Sequence, residues 1–322
     1  MRHRYRSTRS ILKKMALILL IAAIAISPAA VQARVILKVA LLPIFDVLPF
    51  YVAEANGYYN AGDIRIEGLP VGSALERDQL LQAGEIDGVL NEMTSVASFN
   101  RKQTRVKVVR WARHPAPGHP LFRLISAPGS GISTPQDLTG IPIAVSTNTI
   151  IEYVTDRLLR DKGLETDRIV KKSVPVIPER YQLLMQGQIN AAMIPDPLAK
   201  SALVSGAGEI FNDTENPKYS ISVLTFTVGA IDQKAEAIRL FLKGWDRAAA
   251  DINKNPDAFR DLLLEKIRVP KNIKESYKIP VFPENDVPGP AQWADVLDWM
   301  KGKGLIEKDL PYDQSVTRAF LP

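Results

Sequence analysis

The sequence has 322 residues, with 41 basic and 35 acidic side chains and no cysteine. Without cysteine, the chain cannot form disulfides, thiolate zinc sites, iron–sulfur clusters or a cysteine nucleophile. Its length is sufficient to bury a large core without such cross-links.

The first 33 residues have the pattern of a secretory signal peptide. A basic segment without acids is followed by the apolar run 15–26 and by small residues that end at Ala33. The apolar run is short for a membrane span, so we predict cleavage after Ala33, with an uncleaved anchor as the alternative. Without a cysteine to carry lipid, the expected product is a periplasmic protein and not a lipoprotein.

The net charge of +6 belongs to this leader. Six basic residues and no acidic ones precede Arg34, so the rest of the chain carries equal numbers of the two. The basic balance therefore does not indicate a nucleic-acid partner.

From residue 35 onward, the hydrophobic pattern predicts alternating strands and helices, ended in places by glycines such as Gly57 and Gly84. The loop 113–120 contains three prolines and interrupts this alternation. Before the loop we predict strands at 35–42, 64–67, 88–90 and 106–111, and helices at 49–57, 74–83 and 93–100.

The alternation restarts after the loop, with Ser133 or Thr134 as the cap of a one-turn helix. From residue 234 onward the pattern is nearly all helical, with core-facing apolar stripes. Between these points we predict strands at 122–127, 141–145, 169–174, 191–194 and 223–228, and helices at 150–162, 178–186 and 197–205.

Strands separated by helices indicate an α/β protein with mainly parallel sheets. We predict two α/β lobes joined by crossings near 122–127 and 223–228. Lobe I comprises 34–121 and 224–322, and lobe II comprises 122–223. Rotation about the two crossings would let the lobes close on a ligand.

Ligands of parallel α/β sheets bind outside the carboxyl ends of the strands, where helix N-termini offer free N–H groups. This rule selects five loops, at 43–49, 70–74, 91–95, 146–149 and 195–197. Their polar side chains are the candidate ligand contacts, and Phe50 is the candidate for stacking on a ligand ring. The polar candidates are Asp46, Ser73, Asn91, Glu92, Thr94, Ser146, Thr147, Asn148, Thr149 and Asp196.

Each candidate also has a structural alternative. Serine and threonine are common helix caps, and Asp196 could cap the helix that begins at Pro197. Asp46 and Glu92 could be solvated loop charges, and Phe50 could be a core residue.

The sequence offers little for metal or catalytic chemistry. His114 and His119 lie on the proline-rich loop, and no third ligand is spaced with them. No phosphate-binding loop and no serine–histidine–aspartate order is present. We therefore predict no metal, no cofactor and no enzymatic activity.

Four segments together resemble a known family. "LPFYVAEANGYYNAGDIRIE" is similar to the opening of the nitrate/taurine/thiamine-precursor class of ABC-transporter substrate-binding proteins. "LLQAGEIDGVL" and "ISTPQDLTGIPIAVSTNTIIEYVTDRLLRDKGL" resemble the following elements of that class, and "ERYQLLMQGQINAAMIPDPLAKSALVSGAGEI" resembles its Asp-Pro loop region. The resemblance covers most of residues 35–212.

The resemblance implies a type II periplasmic-binding-protein fold that delivers a small molecule to an inner-membrane permease driven by a cytoplasmic ATPase. A monomer is the expected state. One enzymatic relative that makes the thiamine pyrimidine uses a cysteine-rich iron-binding motif, from which this chain departs because it has no cysteine. A periplasmic enzyme on the same scaffold and a ligand-sensing receptor subunit are the alternatives.

The charge of the five loops bears on the ligand. They contain Asp46, Glu92 and Asp196 but no lysine or arginine, which favours a ligand with N–H donors over a bare inorganic anion. An amine or an amino-substituted heterocycle, such as a thiamine-pyrimidine precursor, fits this charge, and so does a zwitterionic sulfonate such as taurine. A distant basic residue such as Arg180, if it folded into the cleft, would change the prediction.

Overall fold

A computed structural model describes residues 34–72, 74–283 and 285–322. The predicted signal peptide and the candidate Ser73 lie outside the described residues. The ten strands are β1 (Val35–Leu41), β2 (Ile64–Pro70), β3 (Gly88–Glu92), β4 (Val106–Arg113), β5 (Phe122–Ser126), β6 (Ile143–Val145), β7 (Lys171–Ser173), β8 (Ala191–Pro195), β9 (Gly208–Asn212) and β10 (Ser222–Thr227).

The α-helices alternate with the strands in the first two thirds of the chain and dominate the last third. They are α1 (Leu48–Ala55), α2 (Ala74–Ala83), α3 (Met93–Asn100), α4 (Ile150–Asp161), α5 (Ile177–Met185), α6 (Leu198–Val204), α7 (Val228–Gln233), α8 (Ala235–Lys254), α9 (Arg260–Lys266), α10 (Pro290–Gly302) and α11 (Tyr312–Ser315).

The strands form two five-stranded sheets of the same design. The first has the order β2-β1-β3-β10-β4 and the second the order β7-β6-β8-β5-β9. In each sheet one strand, β10 or β5, runs antiparallel to both of its neighbours, and the other four run in the same direction. The two α/β layers confirm the predicted fold class, with one antiparallel strand in each sheet.

The chain passes between the sheets twice, through residues 114–121 and residues 213–221, which we call the first and second crossing segments. The predicted crossings at 122–127 and 223–228 were placed slightly late. The structure shows these stretches as β5 and β10, paired with neighbours on both sides. The antiparallel strand of each sheet is thus the first strand that the chain forms after a crossing.

Aromatic packing covers the first sheet on one face. Phe50 in α1 and Phe241 in α8 lie 6.4 Å apart between ring centroids, and Tyr59 stacks on Phe241 at 5.8 Å. Phe226 of β10 meets Phe241 edge-on, and its ring occupies the space above Gly88 of β3. Burying each such side chain contributes about 2–3 kcal/mol, so this cluster is a main source of stability for the first sheet.

Helix α10 packs against α3, which follows β3, and α4, which follows β6. Asp295 of α10 accepts hydrogen bonds from the Tyr153 hydroxyl at 2.6 Å and Arg157 Nε at 2.9 Å. Trp299 Nε1 donates to Asp156 at 2.9 Å. The C-terminal part of the chain therefore contacts both halves of the molecule.

Two sequence expectations differ from the structure. Strand β9 was not predicted, because it is an edge strand in which only Phe211 is buried, so it has no alternating apolar pattern. The region after residue 234 is less helical than expected. Between Ile267 and Gly289 the described residues form no α-helix, since four prolines from Pro270 to Pro288 interrupt the backbone hydrogen bonding that a helix needs. No helix in the described ranges is long and apolar enough to cross a membrane.

Candidate functional site

In both sheets the carboxyl ends of the parallel strands lie beside the crossing segments. Ser222, at the start of β10, pairs with Glu92 at the end of β3 and with Arg113 at the end of β4. In the second sheet, Phe122 at the start of β5 pairs with Pro195 at the end of β8. Both crossing segments therefore leave and enter at the carboxyl ends of the parallel strands, which is where the five candidate loops lie.

Asp46 is buried beside an arginine. It lies in a single 3-10 turn, Phe45–Val47, that follows β1. Arg113 Nη1 donates to its Oδ1 at 3.0 Å, and the side chains are 8% and 2% exposed. The second Nη group of Arg113 donates to the carbonyl oxygen of Pro120 at 3.0 Å. Asp46 is thus not a solvated loop charge, which corrects that alternative, and its role as a ligand contact stays a prediction.

Asp196 is held in a similar way in the other half. Arg123 Nε donates to Oδ1 at 2.9 Å and Nη2 donates to Oδ2 at 3.3 Å, so the guanidinium binds both carboxylate oxygens. The Tyr277 hydroxyl reaches Oδ2 at 3.4 Å, and the Tyr277 ring stacks on Phe45 at 4.5 Å. This chain of contacts joins the end of β8 to the turn after β1. The N-cap of α6 is Pro197, so the predicted capping role of Asp196 is wrong.

Glu92 and Asn91 end the third strand. Arg77 Nη1 lies 3.8 Å from Glu92 Oε1. Burial raises the pKa of Glu92, and the positive charge of Arg77 opposes that increase. Asn91 is fully buried. Its Oδ1 accepts from the Thr225 hydroxyl at 2.6 Å, and its Nδ2 has no acceptor among the described residues. Thr94, in the first turn of α3, is also buried.

The loop 146–149 connects β6 to α4. Thr149 is the N-cap of α4, and its hydroxyl accepts from the Ile151 amide at 3.2 Å, so its structural alternative is confirmed. Asn148 has a φ of 61°, in the left-handed region. Its backbone N–H donates to the Glu152 carboxylate at 2.6 Å. Thr147 is exposed and shares a hydrogen bond with Ser173 at 3.1 Å.

Ser146 is buried and contacts a residue that lay outside the candidate loops. Its hydroxyl donates to the Pro175 carbonyl at 3.1 Å and accepts from Arg180 Nη1 at 2.9 Å. Arg180 is in the second turn of α5 and has no exposed surface. Burial lowers its pKa to about 10. The sequence signal that could have identified Arg180 is its position near the start of α5, the helix that follows β7 at this edge of the sheet.

The structure corrects the interpretation of Phe50. This side chain has no exposed surface and lies in the aromatic cluster over the first sheet, so its core alternative is the correct one. The candidate side chains therefore fall into two groups. Asp46, Glu92 and Asp196 each lie beside a buried arginine, and Ser146 of the loop 146–149 is bound by Arg180. Among the described residues, no group of three or more histidine, aspartate or glutamate side chains is placed to hold a metal ion.

A family model described as "NMT1/THI5 like" matches residues 44–259. The search of curated proteins finds no match.

Three solved structures illustrate the fold. The chain is similar to the periplasmic aliphatic sulphonate-binding protein SsuA from Escherichia coli, with 18% identity, a TM-score of 0.73, and 88% of this chain and 92% of that chain covered. It is also similar to the ligand-binding component of an ABC-type import system from Staphylococcus aureus, solved with zinc bound, with 14% identity, a TM-score of 0.73, and 89% and 97% covered.

The third structure is the desulfurization enzyme DSZB, with 15% identity, a TM-score of 0.63, and 89% of this chain and 97% of that chain covered. A cysteine-to-serine mutant of DSZB has also been solved with biphenyl-2-sulfinic acid. At these identities the likenesses confirm the periplasmic-binding-protein fold that the sequence predicted.

Proposed function

Because the chain belongs to the NMT1/THI5-like family, we propose that it is the solute-binding protein of an ABC importer. It captures a small polar organic molecule between its two α/β halves and delivers it to an inner-membrane permease with a cytoplasmic ATPase. The signal-like first 33 residues support export to the periplasm, with cleavage after Ala33.

One observation carries the proposal. The carboxyl ends of the parallel strands in both sheets lie at the crossing segments, and buried polar groups from both sheets meet there. Asp46, Arg113 and Asp196 belong to this network, which is linked through the Tyr277 ring. A polar edge between two halves joined by two short segments is the arrangement in which a ligand stabilises closure.

The proposed division of the chain follows the sheets except at Ser222 and Val223, which begin β10 of the first sheet. Residues 34–121 and 224–322 form lobe I, and residues 122–223 form lobe II, and the protein acts as a monomer. Its candidate contacts are the polar side chains of the loop 146–149 together with Asn91, Glu92 and Thr94.

A ligand-sensing receptor subunit would use the same closure, and a missing permease gene beside this one would favour that role. A periplasmic enzyme is the alternative with a specific observation behind it, since DSZB shares the fold. This chain has no cysteine, so a reaction that depends on a cysteine side chain is not open to it. A binding protein is therefore the better-supported function.

Mass spectrometry of the small molecules that co-purify with the exported protein tests the proposal. We expect one polar organic compound, bound in equal amount to the protein and recovered unchanged after incubation. Chemical conversion of that compound by the protein would favour the enzyme.

Small-angle scattering tests the closure. The profile of the protein should become more compact when the recovered compound is added at saturation. Identical profiles with and without the compound would contradict capture between two moving halves.

A further inference from the structure

One buried arginine differs from all the others in its surroundings. Six arginines are buried in the part of the chain that the structure describes. Five of them have carboxylate partners within ion-pair distance, and Arg180 has none. The five paired arginines are Arg77, Arg110, Arg113, Arg123 and Arg157.

The donors of Arg180 are only partly used. Nη1 donates to the Ser146 hydroxyl at 2.9 Å and to the Val174 carbonyl at 2.8 Å. Nε and Nη2 are buried and have no hydrogen-bond acceptor in the described ranges. A buried cation without a counter-charge loses its hydration, and few protein contacts offset that loss. Arg180 therefore destabilises the ligand-free protein.

The two unused donors lie on the same edge of the guanidinium. Their N–H bonds are parallel, which matches the spacing of two oxygens on a carboxylate, sulfonate or phosphonate group. The molecule itself contains an example of this contact. Arg123 uses its Nε and Nη2 to hold the two oxygens of Asp196, at 2.9 and 3.3 Å.

The position of Arg180 suits a ligand contact. Its partner Ser146 begins the loop that leads from β6 into α4, a helix of twelve residues whose N-terminus carries positive dipole charge. Two exposed polar side chains of this loop, Thr147 and Asn148, lie on the solvent side. An anion at this edge of the sheet would have hydroxyl, amide and guanidinium donors around it.

We propose that Arg180 binds an oxyanion group of the transported molecule through Nε and Nη2. This inference rests on the proposed function and specifies its ligand as an organic acid, either an anion or a zwitterion. The carboxylates that favoured an amine ligand in the sequence, Asp46, Glu92 and Asp196, each lie within ion-pair distance of an arginine. Arg180 is therefore the one buried arginine in the described ranges whose charge has no carboxylate partner.

Binding requires a movement. Arg180 has no exposed surface, so an anion reaches it when the loop 146–149 or the loop around Val176 moves aside. Val176 is 54% exposed and precedes the first turn of α5, so this loop has solvent on its outer side. The entering oxyanion then takes the acceptor position that no protein group fills.

The test uses the exported protein and three variants. Arg180→Met removes the charge and keeps much of the side-chain volume, and Arg180→Lys keeps the charge without the parallel donors. Arg160→Met is the matched control, because it removes one positive charge from an exposed position on α4. Calorimetry is run with ethanesulfonate, propanoate and taurine, each beside an uncharged or cationic counterpart, namely ethanesulfonamide, propanamide and propylamine.

We expect at least one of the acids to bind and its counterpart not to bind. Arg180→Met should weaken that binding by about 100-fold, Arg180→Lys by about 10-fold, and Arg160→Met by less than twofold. The unfolding temperature of the free Arg180→Met variant should equal or exceed that of the parent, because an unpaired buried charge has been removed. A lowered unfolding temperature with unchanged acid binding would show that Arg180 only supports the fold.

Co-purified molecules separate this inference from the function on which it rests. Recovery of an acid from the parent and its loss from Arg180→Met supports the inference. A neutral or cationic compound that is retained equally by both proteins overturns the inference and leaves the proposed function standing. If neither protein retains a compound and no member of the panel binds, both are wrong.

Discussion

The Asp213 carboxylate accepts a hydrogen bond from the backbone N–H of Leu121 at 3.1 Å. Its other oxygen accepts from the N–H of Phe122 at 3.0 Å. Leu121 ends the first crossing segment and Asp213 begins the second. The two connections between the sheets therefore share one buried carboxylate, and a rotation of one half against the other must preserve or break these bonds.

Stability should depend on pH through Asp213. Burial raises its pKa from 3.8 to about 7, while the amides of Leu121 and Phe122 and the Arg113 charge oppose this in part. Between pH 4 and 7 the folded state then holds a proton that the unfolded state has lost. Stability should fall as pH rises through this window, with a slope of up to about 1.4 kcal/mol per unit from this group.

Unfolding midpoints of the parent and of Asp213→Asn, measured between pH 4 and 8, check this prediction. Other titrating groups contribute to both proteins, including His119, whose pKa is lowered by burial and by Arg113. The difference between the two curves isolates Asp213. Parallel curves would show that this carboxyl does not titrate in the window.

Asp46→Asn should destabilise the protein strongly. The substitution leaves the buried Arg113 without its counter-charge, and removing one partner of such a pair costs on the order of 3 kcal/mol. The double variant Asp46→Asn with Arg113→Met should lose less than the sum of the two single variants, because the unpaired charge is gone. Urea unfolding of the four proteins measures the coupling, and strict additivity would argue against the ion pair.

Gly88→Ala should disturb the first sheet. An added Cβ would lie well inside van der Waals contact of the Phe226 ring, which is buried in the aromatic cluster, so we expect a loss of about 1–3 kcal/mol. Gly229→Ala is the matched control. It lies in α7 with open space around the added methyl group and should gain about 0.4–1 kcal/mol. Equal effects of the two substitutions in thermal unfolding would refute the packing argument.

Asp295→Asn should loosen α10. Its carboxylate is the partner of the buried Arg157 and of the Tyr153 hydroxyl, so we expect a loss of about 1–2 kcal/mol. Asp298→Asn, on the same helix, is the control. Its side chain is 79% exposed and lies 3.7 Å from Lys301, so its loss should stay below about 0.5 kcal/mol. Denaturant titration compares the two, and an equal loss would contradict a special role for Asp295.

The fold was largely predictable from the sequence, because buried parallel strands and amphipathic helices leave strong hydrophobic patterns. Strand β9 was missed because it buries only one side chain and so has no such pattern. The positions of β5 and β10 were predicted correctly, but their antiparallel direction was not. Strand direction depends on which strands pair across the chain, and a local pattern does not contain that information.

The candidate site was predicted only in part. The rule of strand ends identified Asp46 and Asp196, but it could not show that Arg113 and Arg123 neutralise them. Arg113 lies on β4 and Arg123 on β5, whereas their partners follow other strands. Each ion pair therefore forms only when distant parts of the chain pack together. Phe50 was misjudged for a related reason, since the sequence shows its helix but not the aromatic cluster that covers it.

Helix α10 also bears on the order in which the molecule can be completed. Strands β5 to β9 are consecutive in the chain, so the whole second sheet is made before α10 exists. Asp295 follows Arg157 by 138 positions, and until residues 290–303 have been synthesised, Arg157, Asp156 and Glu152 on α4 lack their partners in that segment. The second sheet and its helices therefore reach their final stability only at the end of synthesis.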